Sequence, residues 1–189
     1  MKYKYFINPV AMVKKIILHY VNEGYIVVDC TVGNGNDTLL LAKMVGESGM
    51  VYGFDIQAMA IDKTRNKLIE HGLEKRVNLI NSGHENIDMY VKDRVHLVVY
   101  NLGYLPGGDK KIITTPDTTL ESIMKALNLL NANGLLLVTC YTGHKGGMLE
   151  KEKVEEFLIS LDQRKFNVLK FNFINQKNNP PILYGVEKL

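Results

Sequence analysis

The chain has 189 residues, 46% hydrophobic and 23% charged, enough apolar material for one compact domain spanning residues 1–189. No apolar run approaches the roughly 18 residues of a membrane span, and the opening MKYKYFINP lacks the apolar core of a signal peptide, so a cytoplasmic protein without membrane partners is expected. Cys30 and Cys140 fall at the ends of strands not expected to be neighbours, which argues against a disulfide and supplies no metal-ligand set; a net charge of +3 permits a polyanionic partner without requiring one.

Asn8 and Pro9 make a helix start, and Val10, Val13, Ile17, Tyr20 and Val21 recur at helical spacing until Gly24. A strand follows from Tyr25 to Cys30, then a loop, then a helix from Asp37 to Val45. The loop contains Gly33 and Gly35, which let a ligand approach the backbone N–H groups of a helix start. A dinucleotide fingerprint would need a third glycine where Thr38 stands, and Asp37 beside it would repel a pyrophosphate. That carboxylate suits a ligand with positive charge or with hydroxyl and ammonium donors. S-adenosylmethionine has a sulfonium, an ammonium and no phosphate, so the run from Asp29 to Gly35 reads as the first motif of a class I methyltransferase. Its cofactor candidates are Asp29, Thr31, Gly33, Asn34, Gly35, Asn36, Asp37 and Thr38; the plain alternative is a turn and a helix capped by Asn36 or Asp37.

The next strand, Met50 to Asp55, ends in an acid where nucleoside-binding α/β folds set a carboxylate against ribose hydroxyls. Asp55, with Ile56 and Gln57 behind it, takes that place, and a helix from Gln57 to His71 follows. After a strand at Val77 to Ile80, the loop NSGHENI offers Ser82, Gly83, His84 and Glu85 as polar groups for an adenine, or as an ordinary polar turn.

The strand Val95 to Asn101 runs into NLGYLPGGDKK, which resembles the Asn-Pro-Pro-aromatic loop of amino-group methyltransferases. A nitrogen attacking a sulfonium methyl needs its lone pair aimed at the carbon and its N–H bonds held by acceptors. Asn101 and the carbonyl of Leu102 are expected to hold that nitrogen, and Tyr104 to stack on the base. Leu102 and Gly103 replace the two prolines, so the carbonyl is less rigidly presented; a simple turn is the alternative. A helix from Thr118 to Leu130 and a strand from Leu135 to Cys140 lead to YTGHKGG, where His144 accepts a proton or merely lines the edge. Asn101, Tyr104 and His144 are the catalytic candidates. Lys110, Lys111, Lys145 and Lys177 fall in connections near this edge, as phosphate contacts or as a solvated rim.

A charged helix at about Leu149 to Leu161 precedes strands at Phe166 to Ile174 and Ile182 to Lys188, whose short connection makes them antiparallel. Alternating strands and helices closed by such a hairpin predict an α/β, Rossmann-like fold with a mostly parallel seven-stranded sheet and helices on both faces.

Taken together, TVGNGNDTLLLA with Asp29 before it, VYGFDIQ, SGHENI, NLGYLPGGDK and YTGHKGG are similar to a small bacterial family labelled rRNA methylases, whose characterised members are MnmM (YtqB) tRNA methyltransferases. The resemblance covers nearly the whole chain. It implies S-adenosylmethionine as cofactor and the anticodon loop of tRNA as partner, with methylation of 5-aminomethyl-2-thiouridine at the wobble position. From their place in the fourth and fifth loops, Leu102, Gly103, Tyr104, Lys110, Lys111 and Lys145 are the expected substrate contacts, in a monomer or homodimer. Methylation of rRNA or of a small amine, or nucleotide binding without methyl transfer, are the rival readings.

Overall fold

The structure, a computed structural model, describes residues 3–105, 107 and 113–189. Lys110 and Lys111 lie outside the described residues. The chain opens with helix α1 (Pro9–Tyr20), whose Asn8 cap accepts the Ala11 N–H at 2.8 Å and whose Val13 and Ile17 are buried. Strand β1 (Ile26–Asp29), helix α2 (Asn36–Met44), strand β2 (Met50–Phe54), helix α3 (Ala58–Glu70) and strand β3 (Val77–Ile80) follow. Then come α4 (Ile87–Tyr90), β4 (Val95–Leu102), α5 (Pro116–Leu129), β5 (Leu130–Cys140), α6 (Gly147–Ile159), β6 (Phe166–Phe171) and β7 (Ile182–Lys188).

The seven strands form one sheet in the order β3-β2-β1-β4-β5-β7-β6. β1 to β5 run parallel, and β7 enters antiparallel between β5 and β6. β1 and β5 are separated by β4, and both cysteines are free and buried. Two apolar layers sandwich the sheet. Val27, Leu97, Val99 and Leu137 face the layer of α1, α2 and α3, while Val28, Val98, Tyr100, Leu136 and Val138 face that of α4, α5 and α6. This alternation of inward residues on both faces is what a parallel sheet buried between helices demands.

Most element boundaries differ from expectation by a residue or more, four of them instructively. β5 starts at Leu130, with a register shift against β4 between Val95 and Leu97; β6 ends at Phe171, short of Ile174. α5 starts at Pro116, whose fixed φ suits the first helical turn, and α6 starts at Gly147, after Gly146 turns the chain at φ 87°. No helix among the described residues is long and apolar enough to cross a membrane.

Strand order reverses between β1 and β4, because β2 and β3 continue on one side and β5 to β6 on the other. In open α/β sheets the carboxyl ends of the strands at such a switch leave a crevice between diverging loops. The glycine loop leaves β1 there, and the Asn101 loop leaves β4.

Candidate active site

The glycine loop is shaped by its own backbone and by its neighbours. Gly33 and Gly35 have φ of 52° and 72°, and the Gly35 amide closes a turn onto the Val32 carbonyl at 2.8 Å. A Cβ on Gly35 would meet the Thr64 hydroxyl of α3 at 2.5 Å, so glycine is required both by conformation and by close helix approach. Lys63 donates to the Asn34 side-chain oxygen at 2.6 Å; Lys67 donates to the Asn34 carbonyl at 2.9 Å and to the Asn36 side chain at 2.8 Å. Asn34 and Asn36 thus clamp the loop against α3.

Carboxylates converge on the inner side. Asp55, just beyond β2, accepts the Gly33 N–H at 2.8 Å and the Gln57 N–H at 2.9 Å, tying the second loop to the first. Burial raises its pKa, opposed by those two amides. Asp29 is fully buried at the end of β1, where it accepts from the Thr31 amide at 3.1 Å and the Thr38 hydroxyl at 2.6 Å. Burial, and then the charge of Asp37, pushes Asp29 up to about 7. Ile56 is exposed beside this pair of loops. Asn81, not singled out from the sequence, ties the third strand's end to the second loop by donating to the carbonyls of Asp55 and Ile56 at 2.9 and 3.0 Å.

The third loop divides. Ser82 accepts from Asn86 at 3.1 Å, and Gly83 leaves room for the Glu85 carboxylate, which a Cβ would meet at 2.3 Å. His84 turns into the protein instead of toward the loop surface: it is 7% exposed, its ring packs edge-on against Tyr100 at 5.6 Å, and its carbonyl accepts from Ser122 of α5. Burial lowers its pKa to about 4, with Glu85 opposing, so the ring is neutral at physiological pH.

Asn101, expected in the fourth loop, lies within β4, which runs on to Leu102, and it ties that strand's end to the glycine loop and the first turn of α2. Its backbone N–H donates to the Thr31 hydroxyl at 2.7 Å, and its side-chain nitrogen donates to the Asp37 carboxylate at 2.8 Å, across 64 residues of sequence. A carboxylate only accepts, so the amide's amino group must face Asp37 and its oxygen is left for another donor. The Leu102 carbonyl accepts the Tyr141 N–H at 3.3 Å and the Gly103 carbonyl the Thr114 N–H at 3.0 Å, so both belong to the backbone ladder, each with one lone pair committed. Tyr104 is 44% exposed and meets His144 edge-on at 6.0 Å, bringing together two residues 40 positions apart. Gly103, at φ 154°, passes directly beside the His144 ring, and a Cβ there would lie 3.5 Å from Nε2. Lys145 is exposed next to His144 and its carbonyl lies 3.1 Å from His144 Nδ1. Tyr141, absent from the sequence candidates, also belongs here: burial and then the charge of Asp37 raise its phenol. Its position immediately after a strand was the available signal. Among the described residues no cluster of His, Cys, Asp and Glu has a metal-binding arrangement.

Asp37 and Asp55 beside a glycine turn, with amide and hydroxyl groups between them, form an acceptor-rich set that fits hydroxyl, ammonium and sulfonium groups better than a phosphate. With the antiparallel last strand, this defines the class of S-adenosylmethionine-dependent methyltransferases of class I. The chain belongs to the family described as "Putative rRNA methylase", whose model matches residues 51–187. A Clostridium thermocellum structure described as a "putative rRNA-methylase" is 48% identical with a TM-score of 0.95, covering 100% of both chains. SMU.1697c, a "putative methyltransferase" from Streptococcus mutans in complex with SAH, is 38% identical over 96% of this chain and 98% of that one, with a TM-score of 0.88. A chloroplastic tRNA (mnm(5)s(2)U34)-methyltransferase of Arabidopsis thaliana is 40% identical over 87% of this chain, which spans 64% of that relative's length.

Proposed function

We propose that the protein is a tRNA methyltransferase that uses S-adenosylmethionine to methylate the primary amine of 5-aminomethyl-2-thiouridine at the wobble position, giving 5-methylaminomethyl-2-thiouridine. The observation that carries this reading is Asn101, whose amide is fixed by Asp37 with its oxygen available at the carboxyl edge of β4, beside the glycine loop. The similarity to the plant tRNA methyltransferase supports the choice of acceptor, and the S. mutans relative in complex with SAH supports the choice of cofactor.

The cofactor, when bound, supplies a methyl group made electrophilic by a positive sulfur. Asp55 offers acceptors to hydroxyls, and Asp29 holds the start of α2 in place through Thr38. Asn101 accepts an N–H of the amine and thereby directs the lone pair. An alkylamine is mostly protonated at neutral pH and must lose a proton before attack. Tyr104 and His144, in mutual contact at the rim, are the groups offered for base stacking and for receiving that proton. A wobble base lies in a single-stranded loop, so little unstacking is required and a small domain suffices.

Nucleoside analysis of tRNA from a strain lacking the gene tests the reading. Accumulation of the unmethylated aminomethyl nucleoside with loss of its methylated form is expected; an unchanged wobble position, with loss of a methyl group from rRNA, would replace this reading with an rRNA one.

A further inference from the structure

The chain's excess of positive over negative charge comes from two stretches. Residues 1–22 and 163–186 contain eight of the 23 Lys and Arg and none of the 20 Asp and Glu, so the remainder, 15 basic against 20 acidic side chains, is net −5. The two stretches meet in the fold, where Phe6 packs on Phe171 with ring centroids 6.2 Å apart and Phe171 packs edge-on against Phe173 at 5.2 Å. Tyr3, Tyr5 and Phe6 are 74%, 65% and 62% exposed, and Lys4 and Lys15 lie 5.4 and 5.8 Å from the centre of the Tyr5 ring. Lys15 also donates to the Tyr5 carbonyl at 2.8 Å, holding the segment onto α1.

This surface is aligned with the candidate active site. Asn101 is in register with Thr139, Thr139 with Leu183, and Leu183 with Phe171. One row of the sheet therefore leads from Asn101 to Phe171 across three strand spacings, about 14 Å. Large exposed aromatics interleaved with lysines, without a carboxylate in either stretch, match a single-stranded nucleic acid, whose bases stack on rings while its phosphates attract ammonium groups.

Resting on the proposed tRNA reading, we propose that the segment Tyr3–Ile7 and the end of β6 form the RNA-docking surface, where nucleotides beside the wobble base stack on Tyr5 and Phe6 and their phosphates contact Lys4 and Lys15. The surface extends the site along the sheet edge.

Fluorescence anisotropy with a labelled anticodon stem-loop tests it in the full chain, with calorimetric binding of S-adenosylhomocysteine confirming that each variant is folded. Tyr5→Ala with Phe6→Ala is expected to weaken RNA binding at least ten-fold. Lys4→Glu with Lys15→Glu is expected to reduce the slope of log K against log salt by about 1.4, for two phosphates of a single strand. Wild-type RNA binding matched within two-fold by both double variants would overturn the surface while leaving the tRNA reading standing. No RNA binding by the wild type would overturn both. Loss of affinity for anionic lipid vesicles with RNA binding unchanged would assign the surface to a membrane and overturn the proposal.

Discussion

Asn101, near the end of β4, and Asp37, in the first turn of α2, make one unit, and each explains the other. Without Asp37 the amide of Asn101 can rotate end for end, and without Asn101 the carboxylate faces the site with no donor from β4. Asn101→Ala is expected to reduce turnover about 100-fold, the usual cost of removing one preorganised polar contact, with cofactor affinity changed less than three-fold. Asp55→Ala should do the opposite, weakening S-adenosylhomocysteine binding at least ten-fold in calorimetry through the loss of an acceptor and of the Gly33 and Gln57 tethers, with a smaller effect on turnover at saturation. A reversed pattern would exchange their roles. Two buried groups also set a pH response. Asp29 is raised from 3.8 to about 7, so its native form retains a proton that the unfolded chain releases, and its contribution to stability falls as pH rises from about 4 to 7. His84 is lowered from 6.5 to about 4, so its contribution is present above about pH 6.5 and is lost as pH falls to 4. The slopes oppose each other over nearly the same window. Asp29→Asn removes the first, so the denaturant midpoint of that variant should fall by an amount worth about 2–3 kcal/mol between pH 6.5 and 4, more steeply than in the wild type; parallel pH curves would show that Asp29 is not protonated in the native state.

At the scale of elements, the junction of the glycine loop with α3 constrains the site closely. Gly35→Ala combines a left-handed φ of 72° with a Cβ 2.5 Å from Thr64, and a loss of about 2–4 kcal/mol in chemical denaturation is expected. Near-wild-type stability would mean that α3 withdraws and that the loop is not fixed by it. The parts of this region that the sequence made legible were those with local signatures: the glycines between a strand and a helix, the acid ending β2, the Asn-Leu-Gly-Tyr run after β4. Three features were not legible, for a common reason. Lys63 and Lys67 reach Asn34 and Asn36 because helical spacing places both on the loop-facing side of α3, which depends on how α3 docks. His84 reads as a polar loop residue, yet the short helical turn at 84–86 rotates its ring onto Tyr100 beneath α5. The Asp37 to Asn101 contact joins the start of α2, which follows β1, to the end of β4, and the adjacency of β1 and β4 follows from strand order and not from any local pattern.

Across the whole molecule, the reversal of strand order at β1 and β4 brings the glycine loop and the Asn101 loop to one edge, and the antiparallel β7 carries β6, with its aromatic end, to that same edge. The alternation of strands and helices predicted this sheet, its terminal hairpin included, because each period is written in the local order of apolar residues. The charge asymmetry was present in the sequence as well, but a net charge of +3 conceals it until the two acid-free stretches are seen to meet through Phe6 and Phe171. Under the proposed function, this edge transfers a methyl group to the aminomethyl nitrogen of a wobble uridine. Incubating the purified protein with S-adenosylmethionine and tRNA bearing 5-aminomethyl-2-thiouridine, followed by mass spectrometry of the nucleosides, tests it most directly. Conversion to 5-methylaminomethyl-2-thiouridine by the wild type, and about 100-fold slower by Asn101→Ala, is the predicted result; an unmodified wobble nucleoside after incubation with protein shown to bind S-adenosylhomocysteine would contradict it.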